Sequence, residues 1–141
     1  MALRPYVPRV KKSSGWNPFA KHYVYRLFDV ADGKTRYIGV TYDLKHRLSV
    51  HRSARKNTMR DRWIKSVIRS GSQIDMEVIY EGMWFSIPSG ERYYIKLYIE
   101  MGCDLVNTAL VDKIRKTPMH VLKEKFDKAI AAEKQVKENQ S

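Results

Sequence analysis

Residues 23–51 read YVYRLFDVADGKTRYIGVTYDLKHRLSVH, and this stretch decides the fold. Residues 22–30 and 35–40 are short runs rich in aromatic and β-branched side chains, which favour strands. The connection between them contains Gly33, and a glycine in so short a connection is typical of a tight turn. The stretch therefore predicts a β-hairpin.

A basic helix is predicted to follow the hairpin. Thr41 or Asp43 can cap its N-terminus, and the helix runs to about Arg55. Residues four apart share a helix face, so Arg47 and His51 lie side by side. The stretch thus gathers tyrosine, arginine and histidine on a small piece of fold, and phenol, guanidinium and imidazole groups can handle a phosphodiester.

A second helix and a third strand come next. The helix opens at residues 57–58 and stops at Gly71, because glycine readily takes the left-handed conformation that ends helices. Helical spacing predicts its core stripe as Met59, Trp63, Ile64, Val67 and Ile68. Residues 75–80 alternate polar and apolar side chains and predict the third strand.

The last third of the sequence predicts two further helices. One runs from a Ser86 cap to Gly102, and residues 105–110 read as a short extended segment. Residues 118–138 form a polar helix whose narrow apolar stripe is Val121, Leu122, Phe126 and Ile130. The whole predicts an α+β fold: a small, three-stranded, mainly antiparallel sheet flanked by helices, with an extra C-terminal helix.

The length and composition suggest one domain with two extensions. The chain has 141 residues, within the usual size of a domain. Residues 1–20 contain three prolines and a basic run, and we expect them to form an extended arm. Residues 21–110 are the predicted domain, and residues 111–141 are the predicted helical extension.

Several classes of protein are disfavoured by what the sequence lacks. Cys103 is the single cysteine, which excludes an intrachain disulfide and fits a reducing compartment. Cysteine and histidine pairs at zinc-ligand spacing are missing. The N-terminus has no apolar signal segment, and no apolar run approaches the ~18 residues of a membrane span. We therefore expect a cytoplasmic protein without a membrane partner.

The charge is positive and unevenly distributed. The formal net charge is +12, and residues 44–70 carry nine Lys or Arg residues against Asp61 alone. A basic face can be kept for solubility, but such faces usually intersperse acidic residues. The scarcity of acidic residues in this segment instead favours the interpretation that it forms a surface that binds the phosphates of nucleic acid.

An ordered set of residues carries a family resemblance over residues 22–110. It consists of Tyr23-Val24-Tyr25, Tyr37-Ile38-Gly39, Arg47, His51, Glu91 and Asn107. This set resembles the GIY-YIG nuclease family, with the spacing of phage homing endonuclease catalytic domains. The first triplet departs from the family pattern, because Tyr23 stands where the family name has glycine.

The resemblance implies a metal-dependent DNA endonuclease of the stand-alone type found in phages and mobile elements, acting in the cytoplasm, including that of an infected bacterium. The implied catalytic residues are Tyr25, Tyr37, Arg47, His51 and Glu91. Glu91 would also be the ligand of one Mg²⁺ or Mn²⁺ ion. The expected nucleic-acid contacts, most of them from the basic segment, are Gly39, Lys45, Arg52, Arg55, Lys56, Arg60, Arg62 and Asn107. We expect double-stranded DNA as the partner, with a homodimer as one route to target recognition.

The residue chemistry is consistent with phosphodiester hydrolysis but leaves alternatives open. Arg47 can grip non-bridging phosphate oxygens. Tyr25 or Tyr37 can orient or deprotonate a water molecule, and His51 is an alternative proton acceptor or phosphate contact. Each residue also has a structural interpretation, such as Tyr25 filling the core. A non-catalytic DNA- or RNA-binding module that retains the fold is the alternative function.

Two positions have alternative interpretations of their own. Asn107 could bond the backbone instead of nucleic acid. Gly90 weakens a helix by about 1 kcal/mol relative to alanine. It therefore indicates either close packing or a shifted Glu91.

Overall fold

The computed structural model describes residue 17 and residues 19–140. The elements in chain order are β1 (His22–Asp29), β2 (Thr35–Thr41), α1 (Leu44–Ser53), α2 (Met59–Arg69), β3 (Ile74–Gly82), α3 (Ile87–Glu100), α4 (Thr108–Lys116) and α5 (Met119–Gln140). The three strands form one antiparallel sheet in the order β2-β1-β3. The predicted α+β class, the sheet and the extra C-terminal helix are confirmed.

The central strand β1 separates two apolar cores, one on each face of the sheet. Successive strand residues point to opposite faces, so Val24 packs beneath α3, α4 and α5. Tyr25 and Leu27 point to the other face, where residues of α1 and α2 cover them. In the antiparallel register Tyr25 lies opposite Gly39, and Leu27 lies opposite Tyr37. The two tyrosines of the predicted site therefore share one face.

Local side-chain caps fix the start of the two helices on that face. Asp43 accepts a hydrogen bond from the His46 N–H at 3.1 Å, and Thr58 accepts one from the Asp61 N–H, also at 3.1 Å. Ser86 is the N-cap residue of α3, as predicted, but its side chain does not form the capping hydrogen bond. Its hydroxyl is buried, lies 2.7 Å from the Tyr80 hydroxyl and makes no capping bond, because tertiary contacts claim it.

The predicted extended segment at residues 105–110 is only partly correct. The Val106 N–H donates to the Arg36 carbonyl at 2.6 Å, so the segment follows the outer edge of β2. The chain then turns into α4 at residue 108. The helix buries Val111 and Ile114, three residues apart on one side. An edge strand that is covered in this way cannot pair with another chain.

The core stripe predicted for α2 is narrower in the structure. Ile64 and Val67 are buried and Trp63 is half-buried, but Met59 is 47% exposed and Ile68 is 50% exposed. The sheet and α1 cover only the side of the helix that carries Ile64 and Val67. Met59 in the first turn and Ile68 in the last turn lie outside that contact.

The C-terminal helix α5 packs on α3 through Phe126. This ring is buried and contacts the rings of Tyr80, Tyr93 and Tyr94, with centroid distances of 4.9 to 5.9 Å. A Cβ atom at Gly90 would lie 2.9 Å from the Phe126 ring. Close packing therefore explains the glycine inside α3, which is the first of the two interpretations that its position allowed.

Two further expectations concern the ends and the membrane. Apart from residues 17, 19 and 20, the predicted N-terminal arm lies outside the described residues. Among the helices that the structure describes, none is long and apolar enough to cross a membrane.

We predict that Phe126→Ala destabilises the domain by about 3 kcal/mol or more, because the substitution empties a buried aromatic site. Urea denaturation measures the free energy of unfolding. Ile68→Ala, at a half-exposed site on α2, serves as the control and should cost less than about 1 kcal/mol. Equal losses in the two variants would show that α5 adds nothing to the stability of the domain.

Candidate active site

The centre of the site is the buried hydroxyl of Tyr25 on β1. Its oxygen lies 2.7 Å from Nε2 of His51, and Nε of Arg47 donates to the same oxygen at 3.5 Å. Both partners come from α1, where their four-residue spacing puts them on the face toward the sheet. The structure therefore brings together three of the predicted catalytic residues.

Burial sets the protonation of this pair. It raises the pKa of the Tyr25 hydroxyl above its ordinary value of about 10. Burial, with smaller contributions from the charges of Arg47 and Arg60, lowers the pKa of His51 to about 3. His51 is therefore neutral at physiological pH. Its Nδ1 atom is buried and has no hydrogen-bond partner in the described part of the chain.

Gly39 makes room for the two tyrosine rings. A Cβ atom at this position would lie 2.6 Å from Cζ of Tyr25 and 2.7 Å from Cε2 of Tyr37, well inside van der Waals contact. Gly39 is one of the expected nucleic-acid contacts. The structure gives the glycine a steric role between the rings, so any larger residue would displace at least one tyrosine.

Tyr37 is the second phenol of the site and contacts a different set of groups. Its ring meets the His51 ring edge-on at 5.6 Å. The guanidinium of Arg60 lies 5.3 Å from the ring centre, and its Nη1 is 3.5 Å from the Tyr37 hydroxyl. Nε of Arg60 also donates to Asp61 at 3.0 Å. Arg60 therefore lies inside the site rather than on its exposed rim.

A cleft of about 220 Å³ joins Tyr37 to Glu91. Its walls are formed by Tyr37, Thr58, Arg60, Glu91, Val106, Asn107 and Leu110. Burial raises the pKa of the Glu91 carboxyl, and the charge of Arg92 offsets part of that rise. Glu91 forms no hydrogen bond or ion pair with the other described residues, so its oxygens are available to a ligand.

The donor set of this cleft fits one hydrated divalent ion. Carboxylate oxygen is the ligand that Mg²⁺ prefers, and this ion usually keeps several of its waters. Within residues 19–140 no group of three or more His, Cys, Asp or Glu side chains is placed to enclose a metal. Glu91 would thus hold the ion alone among the carboxylates, with water completing the coordination.

Arg47 lines a second cleft of about 300 Å³. Its lining includes Tyr42, His46 and Trp84, so the arginine stands between an aromatic surface and the Tyr25 hydroxyl. The five predicted catalytic residues therefore form a chain of neighbours. It runs from Arg47 through Tyr25, His51 and Tyr37 to Glu91.

Six of the eight predicted nucleic-acid contacts, all except Gly39 and Arg60, fall into two groups. Four side chains are exposed and form no ion pair with any described residue, namely Lys45, Arg55, Lys56 and Arg62. Two others are bonded to the backbone. Arg52 donates to the Ile74 carbonyl at 3.4 Å, and the Asn107 amide exchanges two hydrogen bonds with the backbone of Ile38. The Asn107 side chain thereby forms, at the edge of β2, the two hydrogen bonds that a residue of a neighbouring strand would form with Ile38.

Sequence reasoning missed Asp61 and Thr58 as residues of the site. Asp61 is buried, accepts a hydrogen bond from the Lys56 N–H at 2.8 Å and pairs with Arg60. Thr58 lines the cleft and caps α2. One signal was present, since Asp61 is the single acidic residue in the basic segment 44–70. A lone acid among so many cations indicates a specific partner.

A family comparison agrees with this geometry. The model of the GIY-YIG catalytic domain matches residues 21–102, which is more than half of the chain. The chain belongs to the GIY-YIG family. GIY-YIG catalytic domains are nuclease domains, and DNA is the substrate that such a domain implies. No curated protein and no solved structure matches the chain.

The GIY-YIG match ends at residue 102, before three residues that line the cleft. Val106 and Asn107 lie in the segment along the edge of β2, and Leu110 lies on α4. The glycine missing from the first triplet is replaced by Tyr23, which lies opposite Thr41 on β2 and Glu81 on β3. Tyr23 lies two residues before Tyr25 on β1, and the pairing of Tyr25 with Gly39 is kept despite the departure.

We predict that His51 makes the stability of the domain sensitive to acid. The folded protein holds this histidine neutral, with a pKa of about 3, whereas the unfolded chain has an ordinary value of about 6.5. The unfolded state therefore binds more protons as the pH falls through about 6.5, and the folded state loses stability. Urea denaturation should show a steeper loss between about pH 7 and pH 5 for the wild type than for His51→Gln.

His46→Gln serves as the control for that experiment, because His46 is an exposed histidine of the same helix. It should keep the wild-type slope. Parallel curves for the wild type and His51→Gln would contradict the prediction.

Proposed function

We propose that this protein is a metal-dependent endonuclease that hydrolyses phosphodiester bonds of double-stranded DNA. The observation that carries the proposal is the continuous set of contacts from Arg47 to Tyr25 and His51, and from Tyr37 into the cleft of Glu91. Hydrolysis needs a cation for the phosphate, a proton acceptor for water and assistance to the leaving oxygen. The site offers a group for each of these roles.

Arg47 is the residue best suited to the phosphate. Its fixed charge opens onto a cleft, and a guanidinium fork matches two non-bridging oxygens. Charge that develops on those oxygens in the transition state is then met by a donor already in place. The hydrogen bond to Tyr25 at 3.5 Å helps to orient the guanidinium.

Glu91 would hold one Mg²⁺ or Mn²⁺ ion at the opposite end of the site. When bound, the ion supplies Lewis-acid stabilisation of the phosphate and of the leaving 3′-oxygen. The carboxyl is suited to this role because it has no partner among the described residues that an ion would have to displace. Burial raises the pKa of this carboxyl and so disfavours its charged form. A bound ion would stabilise the charged form against this effect.

Tyr25 and His51 would have a structural role in the site. Because the Tyr25 hydroxyl is buried and His51 is neutral, their hydrogen bond orients two rings without placing another charge beside Arg47. The four exposed cations that form no ion pair with a described residue would contact the DNA backbone. Lysine and arginine in this state bind phosphate with a strong dependence on salt.

A DNA-binding module without activity is the alternative function. The burial of Tyr25 favours it, since a phenol with a raised pKa is a poor general base at neutral pH. The two functions differ in the response to metal, because only a nuclease converts supercoiled plasmid to nicked or linear products when Mg²⁺ or Mn²⁺ is added.

We predict that Glu91→Gln abolishes plasmid cleavage and leaves DNA affinity unchanged or slightly higher. The variant removes the expected metal ligand and a negative charge near the phosphate. Gel-based cleavage and fluorescence anisotropy measure the two properties. Glu100→Gln serves as the control, because Glu100 is an exposed carboxylate of the same helix. Normal Mg²⁺-dependent cleavage by Glu91→Gln would sink the assignment of the ligand.

We predict that Arg47→Ala lowers the single-turnover cleavage rate by about 10²-fold or more, the usual effect of losing a positioned transition-state donor. Arg55→Ala and Arg62→Ala should instead weaken binding modestly. Each should reduce the slope of log affinity against log salt by about 0.9. If all three variants behave alike, Arg47 is one phosphate contact among several.

A further inference from the structure

The position of Arg60 differs from that of the other basic residues in the segment 44–70. Its side chain is largely buried, whereas Arg55 and Arg62 are exposed. Its Nη1 atom lies 3.5 Å from the Tyr37 hydroxyl, and its charged group lies 5.3 Å from the centre of that ring. A general phosphate contact has no need of such an arrangement with a phenol.

Asp61 holds Arg60 in this place. The carboxylate is buried and accepts the Arg60 Nε–H at 3.0 Å, while its other oxygen accepts the Lys56 N–H at 2.8 Å. The backbone N–H of Asp61 is bonded in turn to the cap residue Thr58. The direction of the guanidinium is thus fixed by the start of α2 before any substrate binds. A charge fixed in advance does not need to reorganise during a reaction.

The two phenols of the site differ in their access to a reactant. The Tyr25 side chain has no exposed surface, and His51 already occupies its hydroxyl. Tyr37 is half-buried and lines the cleft that contains Glu91. A water molecule in that cleft can therefore approach the Tyr37 oxygen but cannot reach the Tyr25 oxygen.

We propose that Arg60 is a positioning residue that acts through Tyr37: it stabilises the negative charge of the deprotonated Tyr37 oxygen, which then takes a proton from the attacking water. The inference rests on the proposed nuclease function and assigns water activation to one of the two tyrosines. It also gives Arg60 a role distinct from that of Arg47, whose partner is the phosphate.

The step balances as a hydrolysis. The deprotonated Tyr37 oxygen takes one proton from water, and the water oxygen forms a bond to phosphorus with the electron pair that is released. The bond between phosphorus and the 3′-oxygen breaks, and the 3′-oxygen leaves with its electron pair and gains a proton from solvent. Tyr37 then returns its proton to solvent, so no oxidant or further reactant is needed.

The test is a double-mutant cycle on single-turnover cleavage of plasmid DNA at saturating protein. The four proteins are the wild type, Tyr37→Phe, Arg60→Gln and the double variant. We expect Arg60→Gln alone to lower the rate by about 10²-fold, a typical effect in general-base catalysis. In the Tyr37→Phe background the same substitution should lower the cleavage rate by less than about threefold, because the effects of residues that act through one another are not additive.

A conservative variant and a matched control complete the experiment. Arg60→Lys keeps the charge, and its cleavage rate should be at least about tenfold higher than that of Arg60→Gln. The rise of the rate with pH should move to higher pH in Arg60→Gln. Arg115→Gln removes one exposed positive charge from α4, outside the site, and should leave both the rate and the pH profile as in the wild type.

Three outcomes would overturn the inference. One is an equal loss from Arg60→Gln with and without the Tyr37 hydroxyl. Another is that Arg60→Gln binds DNA more weakly but cleaves at the normal rate at saturation. The third is that the pH profile of Arg60→Gln matches that of the wild type. If thermal melting shows that Arg60→Gln does not fold, the cycle is run with Arg60→Lys, and additive losses overturn the inference again. A wild-type chain that binds DNA but never cleaves it refutes the proposed function and this step together, whereas an active wild type with additive losses refutes this step alone.

Discussion

A phenol hydroxyl buried in the middle of a three-stranded sheet needs a hydrogen-bond partner, and for Tyr25 that partner is His51. Leaving such a hydroxyl unsatisfied costs about 1–3 kcal/mol. The bond therefore fixes the position of α1 against the sheet. It also brings Arg47 to the same oxygen, since Arg47 is one turn earlier on the same helix face. A requirement of folding thus places the residue that we propose to bind the phosphate.

The same constraint separates the two tyrosines by environment. Tyr25 and Tyr37 lie on one face of the sheet, and Gly39 provides the space that both rings use. Because β1 is the central strand, Tyr25 is covered on every side. Because β2 is an outer strand, Tyr37 reaches the cleft at the edge. Two residues of one type therefore acquire different chemistry from the order of the strands, one as a buried support and the other as an accessible phenol.

Much of this arrangement follows from local sequence patterns. The hairpin, the caps at Asp43 and Thr58 and the shared face of Arg47 and His51 depend on residues close in the chain, so periodicity and capping preference predict them. The approach of Arg60 to Tyr37 joins residues 23 apart and was not predicted in that form. A basic residue in a basic segment gives no signal that its partner is a phenol, and only its neighbour Asp61 hinted at a fixed position.

The errors elsewhere have the same physical origin. The start of α4 was missed because residues 105–107 are held extended by the edge of β2, and this contact cannot be inferred from the apolar residues that precede the helix. Ser86 is the N-cap residue of α3, but its hydroxyl bonds to the hydroxyl of Tyr80 on β3 instead of the helix backbone. In both cases a tertiary hydrogen bond decided between two conformations that the local sequence allowed.

The position of Glu91 ties the predicted metal ligand to the stability of the fold. Gly90 immediately precedes it and lies against the ring of Phe126, so a close contact between α3 and α5 adjoins the residue that lines the cleft. A side chain at position 90 would push the two helices apart and move the Glu91 backbone with them. Packing on one side of α3 therefore sets the distance between the carboxylate and Tyr37 on the other. The C-terminal helix thus packs next to Glu91, although none of its described residues lines the cleft.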